Sequence, residues 1–543
     1  MVLVALIWGG YDIYVRWQER RLVQRATSAF QQADYRTASL AARTALSLKP
    51  GSVGAARLMA QIGERAGDRG ALDWRRKVVQ LLPESAEDIL EWARCAVLFN
   101  DLATAERALA QAPESSRESA GYHAVAALVA QARHQDERAE NEWSRAVKLA
   151  PNEGAYRLQL GTLQLKSGDP AKHAAGEKAL QELRKDPQQR ISATRALIKD
   201  GVAQRKDGRD LVVLANELQG YPDATLADKI IYLDFMHQVD DPQFSAYLTQ
   251  LEKASAGSPV ALTQLLSWMT TQNLNLVAVD FLKALPSETL KAWPVQLAVA
   301  DIYLHLKDWA PLVAMTKDAT WKQDFLRHAF LAHALRAQDR KAAAAPEWAA
   351  AVKEASTDST SLLSLISLVS QWRWETETVD LLWVLTKRPD KQSEAIATLY
   401  RHYAKSSDTQ GLYRVLLRLA ESDPSNLDVQ NNLAQVSLLL NAQPEEARRM
   451  AADIYQKKPS NPAYATTYAY ALLTKGNIRE AEKIMSSLSE EQLRDPAVSA
   501  YYGICLAAAK DPRAHEFLEA GRRATLLPEE KALLEKALGR FQP

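Results

Sequence analysis

Apolar residues recur along this chain at intervals of three and four, the spacing that gathers side chains on one face of an α-helix. Residues 19–50 contain two such amphipathic runs, separated by a polar turn at Ala33-Asp34-Tyr35. The second run sets Ala38, Ala42 and Ala45 on one face, small enough to let a neighbouring helix approach closely, and Pro50 ends it. The arrangement returns. Residues 52–83 carry Gly67-Asp68 at the turn, then Ala71 and a closing Pro83. Residues 120–151 bring Ala127, Ala139, Trp143, Ala146 and Pro151 into the same register. Residues 153–187 supply Leu160-Gly161, Gly168-Asp169 and Pro187 with a small insertion in the second helix, and 86–113 is a shorter, worn copy. The predicted unit is a pair of helices joined by a tight turn. One such pair buries too little apolar surface to offset its ordering entropy, so the pairs must stack on one another.

The C-terminal third repeats the pattern most clearly. Residues 431–459 supply Asn432-Leu433-Ala434, Ala447 and Pro459; residues 462–488 supply Tyr468-Ala469, Leu472, Gly476-Asn477, Ala481 and Met485. Residues 496–528 follow with Tyr502-Gly503, Leu506, Asp511-Pro512, Phe517 and Pro528. Recurring in this order with turn residues in place, they resemble the tetratricopeptide repeat family, whose unit is about 34 residues long, and in particular its membrane-anchored bacterial-type members. The resemblance implies an all-α fold, a right-handed superhelical solenoid of helix-turn-helix repeats whose first helices line a concave groove. It also implies a scaffold that binds a partner protein or peptide in that groove, within a membrane-associated assembly. On this reading 19–187 are N-terminal repeats and 426–543 are C-terminal repeats with a capping helix. Residues 188–425 keep segments of helical length and turn punctuation at Gly208, Tyr221-Pro222 and Asp241-Pro242 but lose the signature. They read as degenerate helical hairpins, with an embedded helical domain as the alternative.

The N-terminus departs from this texture. Residues 1–15 are apolar except for Asp12, and Arg16, Arg20, Arg21 and Arg25 follow. The run is short of the roughly 20 apolar residues that span a bilayer, and it lacks a basic leader and a small-residue cleavage site. The expectation adopted is that 1–18 form a single-pass N-terminal membrane anchor, or its remnant, in a bacterial inner membrane. The first helix of the solenoid is the competing reading. Arginines after the apolar run favour a cytoplasmic body, an inference that depends on what precedes Met1 in the gene, so the side is left open.

Charge and chemistry narrow the function. A net charge of +1 over 543 residues gives no basic surface for nucleic acid. The two cysteines, Cys95 and Cys505, sit in apolar helical segments and form neither a disulfide framework nor a zinc site. The nine histidines form no HExxH pair, and His328 and His333, five apart, fall on different helix faces. Nucleophile elbows and phosphate-binding glycine loops are lacking as well. The acidic pairs Glu445-Glu446, Glu490-Glu491 and Glu529-Glu530 sit where helices start, where they suit the helix dipole. The expectation is a non-enzyme with no catalytic residue, no metal, no cofactor and no small-molecule substrate.

One compositional anomaly remains. Seven of the thirteen tryptophans lie between Trp293 and Trp383, and Trp372 and Trp374 bracket Arg373. They either replace worn small-residue packing or form an aromatic surface for a peptide, a glycan or a cationic group. The second option keeps a glycan- or peptidoglycan-binding module, or a superhelical hydrolase with two convergent carboxylates, open as alternative functions. In the C-terminal repeats Asn432 stands where tetratricopeptide proteins with a carboxylate clamp carry asparagine. The matching places hold Thr467 and Tyr501, so the resemblance does not extend to a clamp. Aromatic contacts through Tyr464, Tyr468 and Tyr501 are the other candidates for partner binding.

Overall fold

The computed structural model describes the backbone of residues 2–317 and 319–539, and side chains from Tyr14 onward. Every regular element among the described residues is helical. Two units follow one another along the chain, Met1–Trp268 and Met269–Pro543, and the division falls inside helix Pro259–Thr271.

Antiparallel helix pairs build each unit, and one backbone device closes most of their turns. In the first pair helix Val2–Gln31 is followed by Ala33 at φ 58° and then by Asp34, the N-cap of helix Tyr35–Leu48. The Asp34 N–H returns 2.9 Å to the carbonyl of Ala29, and the Asp34 carboxylate takes the N–H of Thr37 at 3.0 Å. A left-handed residue after the last helical turn thus satisfies orphan carbonyls, and the next residue satisfies orphan amides. The same device recurs at Asn100-Asp101 and Ser407-Asp408, and its backbone half recurs at Lys510-Asp511. Among the described residues glycine supplies the positive φ only at Gly67 and Gly476.

The small residues predicted to pack are the core. Ala38, Ala42, Ala45, Ala139, Ala146 and Ala481 are fully buried, with Trp143 and Met485 filling the larger gaps. Helices Gly154–Gln164 and Pro170–Leu183 approach closely, and a Cβ on Gly176 would meet the Gly161 carbonyl at 2.7 Å. In the first unit helix Arg190–Ala203 packs on Gly208–Gly220, and in the second Gln392–Ser406 packs on Thr409–Ser422.

Ion pairs join successive first helices in the first unit. Arg57 reaches Asp88 with two hydrogen bonds of 2.7 and 2.6 Å, and Arg195 reaches Asp228 with 2.6 and 2.7 Å. Both carboxylates are buried at the start of their helices, and both arginines keep one side in solvent. Burial pushes each carboxyl group up, but the guanidinium and the hydroxyls of Ser85 and Thr225 outweigh it and hold both below the ordinary range.

The N-terminus corrects the sequence expectation. Residues 1–18 do not form a membrane-spanning anchor: Val2–Gln31 is one helix of 30 residues, the first helix of the first pair. Ala26 and Ala29 are buried, and Ala26 shares an apolar cluster with Ala41, Ala42 and Ala45 of the next helix. Glu19 accepts a hydrogen bond from the Ser52 hydroxyl. The charges from Arg16 to Arg25 break the apolar run, and among the described residues no helix is long and apolar enough to cross a membrane. The side chains of residues 1–13, most of the expected anchor, lie outside the described residues.

Candidate functional site

In the second unit the first helices of the last hairpins, Gln392–Ser406, Leu427–Leu439, Pro462–Thr474 and Pro496–Ala509, border a groove of about 620 Å³. Asn431, Asn432 and Gln435 face it from the second of these helices, Ala463 and Thr466 from the third, and Ala497 and Tyr501 from the fourth. Positions three and four apart put these residues on one helix face, while Ala434, Ala469 and Cys505 face the buried side.

The chain itself closes this groove. After helix Ala514–Gly521 it does not extend the stack but turns back, and helix Pro528–Leu538 packs on Pro496–Ala509. Leu527 lodges against two apolar clusters, one including Leu399 and Tyr403, the other Leu416, Leu433 and Val436. Glu529 accepts a hydrogen bond from the Thr409 hydroxyl. The Glu530 carboxylate accepts one from Gln435 Nε2 at 2.6 Å, one from the Tyr501 hydroxyl at 2.7 Å and one from the backbone N–H of Leu527 at 2.8 Å. Glu530 is only 7% exposed, and each of these donors is neutral. Burial, reinforced by the adjacent Glu530 charge, pushes the Tyr501 phenol well above its ordinary value. Beside this contact the Oδ1 of Asn431, a residue 2% exposed, has no hydrogen-bond partner.

The sequence candidates fall in different places. Asn432 lines the groove, although its neighbour Asn431 is the more deeply buried of the two. Tyr501 lies in the groove wall, bonded to Glu530. Tyr464 is buried and donates to Asp428 at 2.6 Å, which with burial raises its phenol to about 12. The Tyr468 ring stacks on Tyr455 at 5.2 Å.

Trp372 and Trp374 are half-buried in a different part of the unit, and Arg373 between them is the left-handed turn residue of its hairpin, at φ 59° and exposed. Trp374 donates its backbone N–H to the Val369 carbonyl at 3.0 Å, the same turn closure seen at Asp34. Their rings meet each other edge to face at 5.3 Å, Trp374 meets Trp348 at 5.6 Å, and Arg336 lies 4.1 Å above Trp374. His333 sits against both, at 4.5 and 5.1 Å; burial and then the nearby Arg336 push its imidazole down to about 4.

One group of side chains has metal-ligating types. Asp324, His328 and Glu354 bring ligand atoms within 4.8 Å of one another. Arg327 already takes both oxygens of Asp324, at 2.6 and 2.7 Å, and lies 2.7 Å from His328 Nε2, while His328 Nδ1 meets Glu347 at 2.5 Å. A cation there would have to displace a guanidinium.

Sequence reasoning missed Gln435, Asn431, Leu527, Thr409 and the role of Glu530. Glu529 and Glu530 do sit in the first turn of a helix as expected, but their carboxylates also reach side chains 120 and 95 residues away. Local pattern carries no signal for that.

Residues 438–505 match the tetratricopeptide repeat family model. That stretch holds the second helix of one hairpin, a full hairpin and the start of the next, alongside the groove. Among solved structures the chain is similar to a tetratricopeptide repeat protein from Parabacteroides merdae, at 14% identity over 40% of this chain and 84% of that one, with a TM-score of 0.35. It is similar to Pseudomonas aeruginosa pilF at 14% identity over 41% and 99%, with a TM-score of 0.33. MamA from Desulfovibrio magneticus follows at 14% identity over 31% and 94%, with a TM-score of 0.27. No curated protein matches the sequence.

Proposed function

We propose that this chain is a protein-interaction scaffold whose C-terminal repeats receive a segment of a partner protein in the groove of their first helices. The observation that carries the reading is the groove itself, built by four successive first helices and fitted to a polypeptide segment, since residues of the chain's own segment Thr525–Glu530 lie in it. Apolar sockets at Leu416, Leu433 and Val436 beside polar anchors at Gln435 and Tyr501 suit a peptide better than a small metabolite. The tetratricopeptide match over 438–505 supports the same class of function.

The test is site-specific crosslinking in the native host. A photo-reactive residue replaces Ala463 or Ala497, both exposed in the groove, or Arg449 on a second helix as the control. The reading expects one defined partner trapped from the two groove positions and not from Arg449. Equal trapping at all three positions, or none at the groove positions, overturns it.

A further inference from the structure

Several features of the second unit ask for a ligand, and most are already satisfied from within. Arg327 fills the acid–histidine cluster, and the tryptophans pack on one another. The groove under Leu527 and Glu530 differs, because its own occupant leaves part of it unused.

Three observations bear on this. The polar anchor of the segment is a carboxylate 7% exposed and held by an amide, a phenol and a backbone N–H, with no cation among those partners. Burying an anion on neutral donors alone carries a desolvation cost that the hydrogen bonds only partly offset, so this contact is weaker than its geometry suggests. About 620 Å³ of the groove remains open beside the segment. Asn431 in its wall is 2% exposed and its Oδ1 lacks a donor, a defect that an added backbone N–H would repair. The occupant is therefore of the right kind and incompletely fitted. It carries two leucines, a proline and two acids in the first turn of a helix, Leu526-Leu527-Pro528-Glu529-Glu530.

We propose that Leu526–Glu530 is an internal ligand of this groove, displaced when a partner protein inserts an extended leucine-rich segment. That segment ends in a carboxylate at the start of a helix and donates a main-chain N–H to Asn431. The proposal rests on the scaffold reading and adds to it the chemistry of the partner and a closed resting state. In the resting chain Leu527 and Glu530 hold the positions the partner needs, so apparent affinity falls by the fraction of molecules in which the groove is closed. A groove open one time in ten weakens binding about tenfold.

The experiment uses the full chain and a fluorescent peptide of residues 522–539. Leu527→Ser with Glu530→Ala releases the internal segment, and binding is read by anisotropy. The double variant is expected to bind the peptide about tenfold more tightly than the unaltered chain, and adding Gln435→Ala with Asn431→Ala is expected to remove the gain. Equal affinity of the double variant and the unaltered chain overturns the proposal. As a check independent of variant folding, a protease site is inserted at Arg522-Arg523, both exposed, and the otherwise unaltered chain is cut. The cut segment is expected to exchange with labelled peptide during gel filtration; a segment that stays bound against excess peptide overturns the proposal. Reciprocal exchange of the segment between two copies, seen as a stable dimer of the unaltered chain, overturns the choice of a foreign partner. A partner crosslinked at Ala463 without peptide exchange sinks this inference and leaves the scaffold reading intact. Exchange without any crosslinked partner overturns the scaffold reading and, with it, displacement by a foreign protein, leaving only a segment that can leave its groove.

Discussion

Gln435 and Glu530 stand 95 residues apart in the chain and are joined by a 2.6 Å hydrogen bond, with the Tyr501 hydroxyl donating to the same carboxylate oxygen at 2.7 Å. This contact ties helix Leu427–Leu439 to helix Pro528–Leu538, so a later segment of the same chain covers the groove.

Replacing Glu530 with Ala leaves the buried Tyr501 hydroxyl without its acceptor, while Gln435 Nε2 keeps its 3.1 Å bond to the Tyr501 oxygen. The stranded hydroxyl costs about 1–3 kcal/mol. The second unit is therefore expected to lose stability, read as a lower urea midpoint, while Glu530→Gln keeps an acceptor and loses less. Equal midpoints for Glu530→Ala and the unaltered chain would show that the contact contributes nothing.

Asp88 and Asp228 make the first unit acid-sensitive. Their folded pKa values lie below the unfolded value near 3.8, so the stability they contribute is fully present above that value and is lost as pH falls through the folded pKa. Denaturation midpoints should hold above about pH 4 and drop below it. In an Asp88→Asn, Asp228→Asn double variant the midpoint should start lower and fall less steeply.

His333 governs a different window. Its imidazole is pushed down to about 4 from the ordinary 6.5, so the unfolded chain takes up a proton that the folded chain refuses. The stability from keeping it neutral is complete above pH 6.5 and fades as pH falls toward 4. A shift of this size corresponds to a loss on the order of 3 kcal/mol. His333→Phe is expected to abolish that slope between pH 6.5 and 4 while leaving the steeper loss at lower pH; an unchanged slope would place the titrating group elsewhere.

Cys95 and Cys505 are fully buried, and burial, with Glu64 beside Cys95 and Glu482 near Cys505, pushes both thiols up to about 12. A thiol reagent at pH 8 is expected to label neither in the native chain and both in urea. Rapid native labelling would mean that the hairpins around them open readily.

Much of the fold was legible because it is local. Alanines at 38, 42 and 45 lie on one helix face by spacing alone, and Gly67 or Gly476 announces a left-handed turn because glycine adopts it without strain. Other turns were harder to see. Arg373 reads as a charged residue inside an aromatic motif, yet its backbone does the same work as Gly67. No side-chain property of arginine signals a positive φ, so the sequence did not mark Trp372-Arg373-Trp374 as the corner of a hairpin.

What the sequence determined by itself was the unit, a pair of amphipathic helices that cannot stand alone, and hence a stack of such pairs. That follows from periodicity and entropy, which act over a few turns of chain. Tertiary structure alone decided two matters. An apolar helix at the N-terminus suits a bilayer or a neighbouring helix equally well by pattern, and the structure packs its later part, at Ala26, against Ala41 and Ala42 of the next helix. The occupancy of the groove depends on where the chain turns after Gly521 and on which side chains lie across the gap from Leu527 and Glu530. Contacts between residues 95 apart are set by the accumulated geometry of the intervening hairpins, and no local spacing records that geometry.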